Sequence, residues 1–251
     1  MPRPRLSVVI PAYNEAAAIA EVLEEAREKL DALGMAWEIL VVDNASTDRT
    51  PDLVATLASD PRIVLLRNAS NRGKGHSVRR GMLEARGDLI LHCDADCVAS
   101  FASFPRMLEC LPGADVVVGS RLAAGAELGR RQPLRRRIVG RAFVGLCRLV
   151  LREPIRDLFC GFKLWRAEAA RATYEHSRLD GWVFDAETLA MARVLGFGLR
   201  ELGIVWTDRA GSRLSMPSVL FPAVRDLLRA RAHVRAQAAR SLPARPVGSI
   251  S

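Results

Sequence analysis

The segment "ILHCDADCVAS" (90–100) places His92, Cys93, Asp94, Asp96 and Cys97 within six consecutive positions. All five side chains can bind metals, but not the same ones. Thiolate and imidazole suit zinc, whereas paired carboxylates suit magnesium or manganese. A closed zinc site needs four ligands at spacings such as C-x-x-C, and here the two cysteines stand four apart with no second Cys/His pair following. In an extended chain side chains alternate, so Asp94 and Asp96 face one way and Ala95 and Cys97 the other. Two carboxylates on one side make a partial oxygen cage that a hard divalent ion accepts while leaving room for phosphate oxygens. His92, Cys93 and Cys97 then read as packing residues. Three more polar clusters accompany this one: "PAYNE" (11–15), "DNASTD" (43–48) and "NRGKG" (71–75). Each alone is ordinary turn chemistry, and "NRGKG" lacks the spacing of a Walker phosphate loop.

The elements that must position these clusters are legible from periodicity. Short apolar runs at 6–12, 37–43, 62–67, 88–94 and 115–120 have the character of strands buried on both faces. Helical spacing is predicted over 16–33, ending at Gly34, and over a segment carrying Pro51, Leu53, Val54 and Leu57, with Ser46 or Thr47 as its cap. Further helices are predicted at 77–85 and 103–111. Strands alternating with helices imply an α/β fold: a doubly wound, mostly parallel, Rossmann-like sheet. In such a sheet ligands bind beyond the carboxyl ends of the strands. All four polar clusters fall at such ends.

Composition narrows the partners. The 251 residues are 49% apolar and carry a net charge of +9, with lysine only at 29, 74 and 163 among 37 basic residues. An anionic partner is expected: a phosphorylated substrate, an anionic membrane face or nucleic acid. No nucleic-acid-binding motif is present, so nucleic acid is not expected. Five cysteines without regular spacing argue against a disulfide scaffold. No signal peptide and no span of about 18 apolar residues is found, which predicts a cytoplasmic protein that does not cross the membrane. Over 133–152, Arg137, Arg141, Arg148 and Arg152 recur on one helical face among apolar residues, the pattern of a basic interfacial helix on an anionic leaflet. A second basic amphipathic helix is expected at 219–240, after a catalytic domain at 1–218 and before a disordered tail at 241–251.

In order along the chain, "SVVIPAYNE", "VVDNASTD", "NRGKG", "DAD", "GSR", "RDLFCGFKLWR", "FDAETL" and "WTDRAGSRLS" resemble the motifs of inverting family-two glycosyltransferases of the GT-A fold. The resemblance spans about residues 5–230. It is nearest to dolichyl-phosphate β-glucosyltransferases, with dolichyl-phosphate mannosyltransferases next. It implies that Pro11, Tyr13 and Glu15 line a nucleoside pocket and that Asp43 and Asn44 read base or ribose, Asn44 standing where many relatives have aspartate. Lys74 would sit near base or diphosphate. Asp94, Ala95 and Asp96 would form the D-x-D segment against the donor, with Asp94 and Asp96 holding Mg2+ or Mn2+. Val98 stands where some relatives supply a glutamine ligand. The implied donor is a nucleotide sugar, UDP-glucose favoured and GDP-mannose possible, and the implied acceptor is a polyprenyl phosphate lipid.

Charge then assigns the remaining roles. A phosphate monoester has a second pKa of roughly 6, so the acceptor is mostly dianionic at neutral pH and needs cations more than a strong base. Arg121 and Arg136 are the expected grips on acceptor phosphate. Asp185, ahead of Glu187, is expected to orient the acceptor from a semi-buried turn. The expected catalytic set is therefore Asp185, Arg121 and Asp96, on a protein peripheral to the cytoplasmic membrane face. A mannosyltransferase, or a family-two enzyme with a soluble acceptor, is the alternative.

Overall fold

The computed structural model describes residues 3–129, 134–206 and 216–241. Five runs form the parallel framework expected from their apolar character. These are β1 (Leu6–Ala12), β2 (Trp37–Asp43), β3 (Ile63–Arg67), β4 (Leu89–Cys93) and β5 (Val116–Ser120). Two short strands follow β5, with β6 (Glu127–Leu128) preceding β7 (Phe162–Arg166). The last two are β8 (Leu199–Gly203) and β9 (Val205–Trp206). The main sheet runs β3-β2-β1-β4-β7-β5-β8, and β6 pairs with β9 in a small second sheet. Strand β7 is antiparallel to both β4 and β5, the one reversal in the main sheet. Neither β7 nor β8 follows from periodicity, because "FKLWR" carries a lysine in its apolar run and "LRELG" is only half-buried.

Alternate strand residues feed two cores. Val8, Ile10, Ile39, Val41 and Leu91 pack on one face against α1 (Ile19–Ala32), a 3-10 segment (Ala95–Ser103) and α4 (Phe104–Cys110). Val9, Leu40, Val42 and Ile90 pack on the other face. There they meet α3 (Lys74–Glu84), α6 (Ala167–His176), α7 (Phe184–Val194) and α8 (Met216–Ser241), with α5 (Leu134–Leu151) against α7 and α8. Helix α8 is part of this core, burying Ala223, Leu227, Ala230 and Val234.

Local chemistry keeps one expected helix end and changes two other expectations. Gly34 ends the α1 turn at φ +64, a conformation glycine adopts without a Cβ penalty. Just ahead of helix α2 (Thr50–Leu57), Asp48 Oδ1 accepts the Thr50 N–H at 2.9 Å, while the N-cap position, Arg49, makes no side-chain cap bond. Ser46 and Thr47 are not the cap: they bond instead to Asn14 at the end of β1. Helix α3 begins at Lys74, three residues earlier than periodicity suggests, directly after Gly73.

Candidate active site

The carboxyl ends of β1, β2 and β3 are bound together by side chains from the expected donor clusters. Asn14 Oδ1 accepts the Thr47 N–H at 2.9 Å, and Thr50 Oγ1 accepts the Glu15 N–H at 2.8 Å. Asp43 is fully buried, accepting the Ser46 N–H at 3.2 Å with Arg67 at 3.5 Å. Asn44 donates to Asn71 Oδ1 at 2.8 Å and accepts from Asn68 at 3.1 Å, tying the β2 loop to "NRGKG". Pro11 is half-buried at the end of β1, and Tyr13 stands 45% exposed just beyond it, so an aromatic face is open to a ligand.

The glycines of "NRGKG" serve packing. A Cβ at Gly73 would overlap the Asp180 carbonyl, and one at Gly75 would lie 2.6 Å from Leu179 O and 2.7 Å from Phe184 Cβ. The 177–183 loop therefore lies directly on this turn. Gly75 N–H donates to Asp180 O at 2.8 Å, and the Asp180 carboxylate pairs with Arg72 at 3.0 Å and with Arg79. This clamp delivers Lys74 to the centre of the site.

Lys74 Nζ donates to Asp94 Oδ2 at 2.5 Å, with both side chains under a fifth exposed. It also lies 5.2 Å from the Trp182 ring centroid and 5.8 Å from that of Phe184. The other Asp94 oxygen is 3.0 Å from His92 Nε2. Burial pushes the Asp94 carboxyl up, but the Lys74 ammonium and the His92 hydrogen bond outweigh it and hold the group well below the ordinary carboxylate range. Asp94 is thus held as the carboxylate by the two groups that face it.

Strand alternation does not carry past Asp94. The chain turns into the 3-10 segment at Ala95, so Asp94 and Asp96 are not successive same-side residues of one strand. The alternation holds on the other side of Asp94, where His92 and Asp94 meet. The side chains of Asp96 and Arg136, and residues 207–215 with the "GSRLS" block, lie outside the described residues. Cys93 and Cys97 are fully buried thiols in the core, as expected, and no cysteine forms a disulfide. His92 is more than packing. It is wholly buried, and its Nδ1 lies 3.9 Å from Asp185 Oδ1, so the ring stands between two carboxylates.

Asp185 does not sit in a semi-buried turn. It occupies the first turn of α7, is 1% exposed, and its Oδ1 accepts from the ammonium of Lys163, which also donates to Cys160 O at 2.8 Å. Glu187, two residues along in the same first turn, accepts the Leu179 N–H at 2.9 Å and faces His233 Nδ1 at 2.9 Å. It ties the 177–183 loop to α8. Arg121 is likewise committed: its Nε and Nη2 fork meets both oxygens of Asp157, each at 2.8 Å. Its guanidinium lies 4.9 Å from the Trp206 ring centroid. Burial pushes the Asp157 carboxyl up, and the Arg121 bonds more than reverse this.

The stretch "DLFCGFK" (157–163) accounts for most of this arrangement. Asp157 fixes Arg121, Cys160 O and Asp185 receive Lys163, and Gly161 O accepts the Asp94 N–H at 2.8 Å. A Cβ at Gly161 would overlap the Asp94 carboxylate, so glycine is required there. The sequence offered one signal for this role: a lysine and a glycine inside an otherwise apolar strand entry. Among the described residues no three His, Cys, Asp or Glu side chains gather as a metal cluster. Asp94 nevertheless fits a hard ion, since magnesium is commonly held by one or two carboxylates with substrate phosphates completing the shell.

Known proteins share this fold and chain. Glucosyl-3-phosphoglycerate synthase of Mycobacterium tuberculosis, solved with Mn2+, UDP-glucose and phosphoglyceric acid, superposes at a TM-score of 0.62 with 18% identity, over 98% of this chain and 82% of that one. Mannosyl-3-phosphoglycerate synthase of Rubrobacter xylanophilus superposes at 0.63 with 18% identity, over 98% and 78%. The fold is accordingly the GT-A, Rossmann-like fold of glycosyltransferases. Residues 7–173 match the family Glycosyl transferase family 2. A dolichyl-phosphate beta-glucosyltransferase of Trichomonas vaginalis is 34% identical over 241 residues, covering 91% of this chain and 71% of the relative. One of Dictyostelium discoideum is 32% identical over 240 residues, covering 90% and 73%. The chain belongs to glycosyl transferase family 2 and is a glycosyltransferase.

Proposed function

We propose that this protein transfers a hexose, glucose in the first instance, from a nucleoside-diphosphate sugar to a polyprenyl (dolichyl-type) monophosphate with inversion. The observation that carries this reading is the state of the carboxylates around Lys74. Asp94, Asp180, Asp185 and Glu187 are all engaged by cations or N–H groups. Such a site is poor in ready general bases, and a dianionic phosphate acceptor needs none. A sugar hydroxyl would need one. The named relatives are dolichyl-phosphate beta-glucosyltransferases, which supports glucose and a lipid phosphate together.

Donor binding falls to the β1–β3 rim, with Tyr13, Glu15, Asp43 and Asn44 toward the nucleoside and Lys74 toward the diphosphate. Asp94, with Asp96, would hold Mg2+ or Mn2+, which when bound offsets the negative charge growing on the departing diphosphate. The relatives' names support glucose over mannose, and a uridine nucleotide is the donor base we propose. Arg121 shapes the acceptor side through Asp157, and Arg136 is its companion on α5.

The lipid acceptor places the protein at a membrane. No described helix is long and apolar enough to cross one. On α5, Val139, Leu146 and Leu149 are exposed, Leu149 by 77%, and 134–151 contains arginines and no acidic residue. A second copy of that stripe would set arginine against arginine, whereas an anionic, cytoplasmic-type leaflet is complementary to it. The test is a panel of nucleotide sugars with Mn2+, with and without polyprenyl phosphate. Product is expected only with lipid and best with UDP-glucose; equal transfer to soluble phosphates such as phosphoglycerate would sink the lipid reading.

A further inference from the structure

We infer that Lys74 is an internal counter-ion that occupies the cation position at Asp94 while donor is absent, so that divalent cation and nucleotide must enter together. The inference rests on the reading of Asp94 as the donor's metal and diphosphate locus. Three observations carry it. Both oxygens of Asp94 are engaged, one by Lys74 at 2.5 Å and one by His92 at 3.0 Å. The carboxylate lies close against the Gly161 backbone on the side of the oxygen that receives Lys74, and its own N–H is bound to Gly161 O. The ammonium is also seated, with the Trp182 and Phe184 rings 5.2 and 5.8 Å away and its helix clamped by Asp180.

A doubly charged ion on the same carboxylate would stand within a few ångströms of this ammonium in a half-buried setting, where like charges repel strongly. A diphosphate would change the balance by giving Lys74 a new anionic partner and offsetting the charge of both cations. Lys74 thus exchanges one anion for another, and the free-cation affinity of the empty site is kept low. By linkage, metal and nucleotide then each tighten the other by one common factor.

The experiment is Mn2+ binding to the full-length protein, followed by electron paramagnetic resonance without nucleotide and with UDP. Wild type should bind Mn2+ weakly alone and much more tightly with UDP. Lys74→Met should bind Mn2+ alone on the order of ten-fold or more tighter than wild type, the scale of removing one adjacent charge, and should gain less from UDP. Lys74→Gln, which keeps a donor to Asp94 without the charge, should behave likewise and covers a folding failure of the first variant. Adding Asp94→Asn should erase the gain. Lys29→Met, which removes one positive charge from α1 away from the site, should stay near wild type. If both Lys74 variants match wild type without nucleotide while UDP still tightens Mn2+, the counter-ion role is wrong and the metal reading survives. If no protein binds Mn2+ even with UDP, both fall.

Discussion

Asp94 is where the chemistry converges, and its neighbours define what each substitution should do. Asp94→Asn keeps the shape and hydrogen-bonding capacity but removes the charge that Lys74 and His92 oppose. Transfer should fall by at least about 100-fold while the circular dichroism spectrum stays native, since charge on the leaving group is worth several kcal/mol. Gly161→Ala attacks the same group through sterics, because the added methyl overlaps the carboxylate. It should lower kcat/KM about as severely while the circular dichroism spectrum stays native; full activity would show that the Asp94 position is not critical. The thiols test the opposite point. Burial pushes the Cys147 and Cys160 thiols up to about 12, so neither is a thiolate at neutral pH. Cys93→Ala with Cys97→Ala should give a folded, active enzyme containing no zinc by elemental analysis.

At the scale of elements, the "DLFCGFK" entry to β7 joins β4, β5 and α7 through buried ionic contacts. Asp157 is 3% exposed and Arg121 is 28% exposed. Breaking such a pair from one side leaves an uncompensated charge, so Asp157→Asn should cost about 3 kcal/mol in urea unfolding. The sign with pH follows from its lowered carboxyl. Its stabilisation is complete above the unfolded value of about 3.9 and is lost as pH falls from there through the lower native value. Wild type should therefore lose stability below about pH 4 more steeply than Asp157→Asn; parallel acid limbs would remove Asp157 from the account. Helix α8 belongs to the same cooperative unit. Leu227 is 1% exposed there, and Leu227→Ala should cost about 2–5 kcal/mol in one unfolding transition.

The whole molecule carries +9, with arginine and exposed leucine brought together on α5. Vesicle sedimentation should show binding that rises with anionic lipid content and falls between low and high salt. Leu146→Asp with Leu149→Asp should abolish sedimentation while leaving the melting temperature intact. Binding that ignores both lipid charge and these leucines would remove α5 from the membrane reading.

Much of this protein was determined by local sequence alone. Period-two and period-3.6 patterns place β1 to β5 and their helices, because burial of apolar side chains acts on short windows. The same patterns put the polar clusters at one sheet edge. Asp94, Lys74 and the core thiols follow from residue type and position. Tertiary structure decided who pairs with whom. Lys163 lies on, and Asp157 just ahead of, an antiparallel strand inserted between β4 and β5, and that insertion has no local periodic signature. It turns Asp185 from an expected acceptor-orienting residue into a buried partner of Lys163, and Arg121 from an open grip into half of a bidentate pair. Ionic partners 20 or more residues apart are chosen by which backbones the sheet brings together, and the energy that selects them exists only once the intervening water has been excluded.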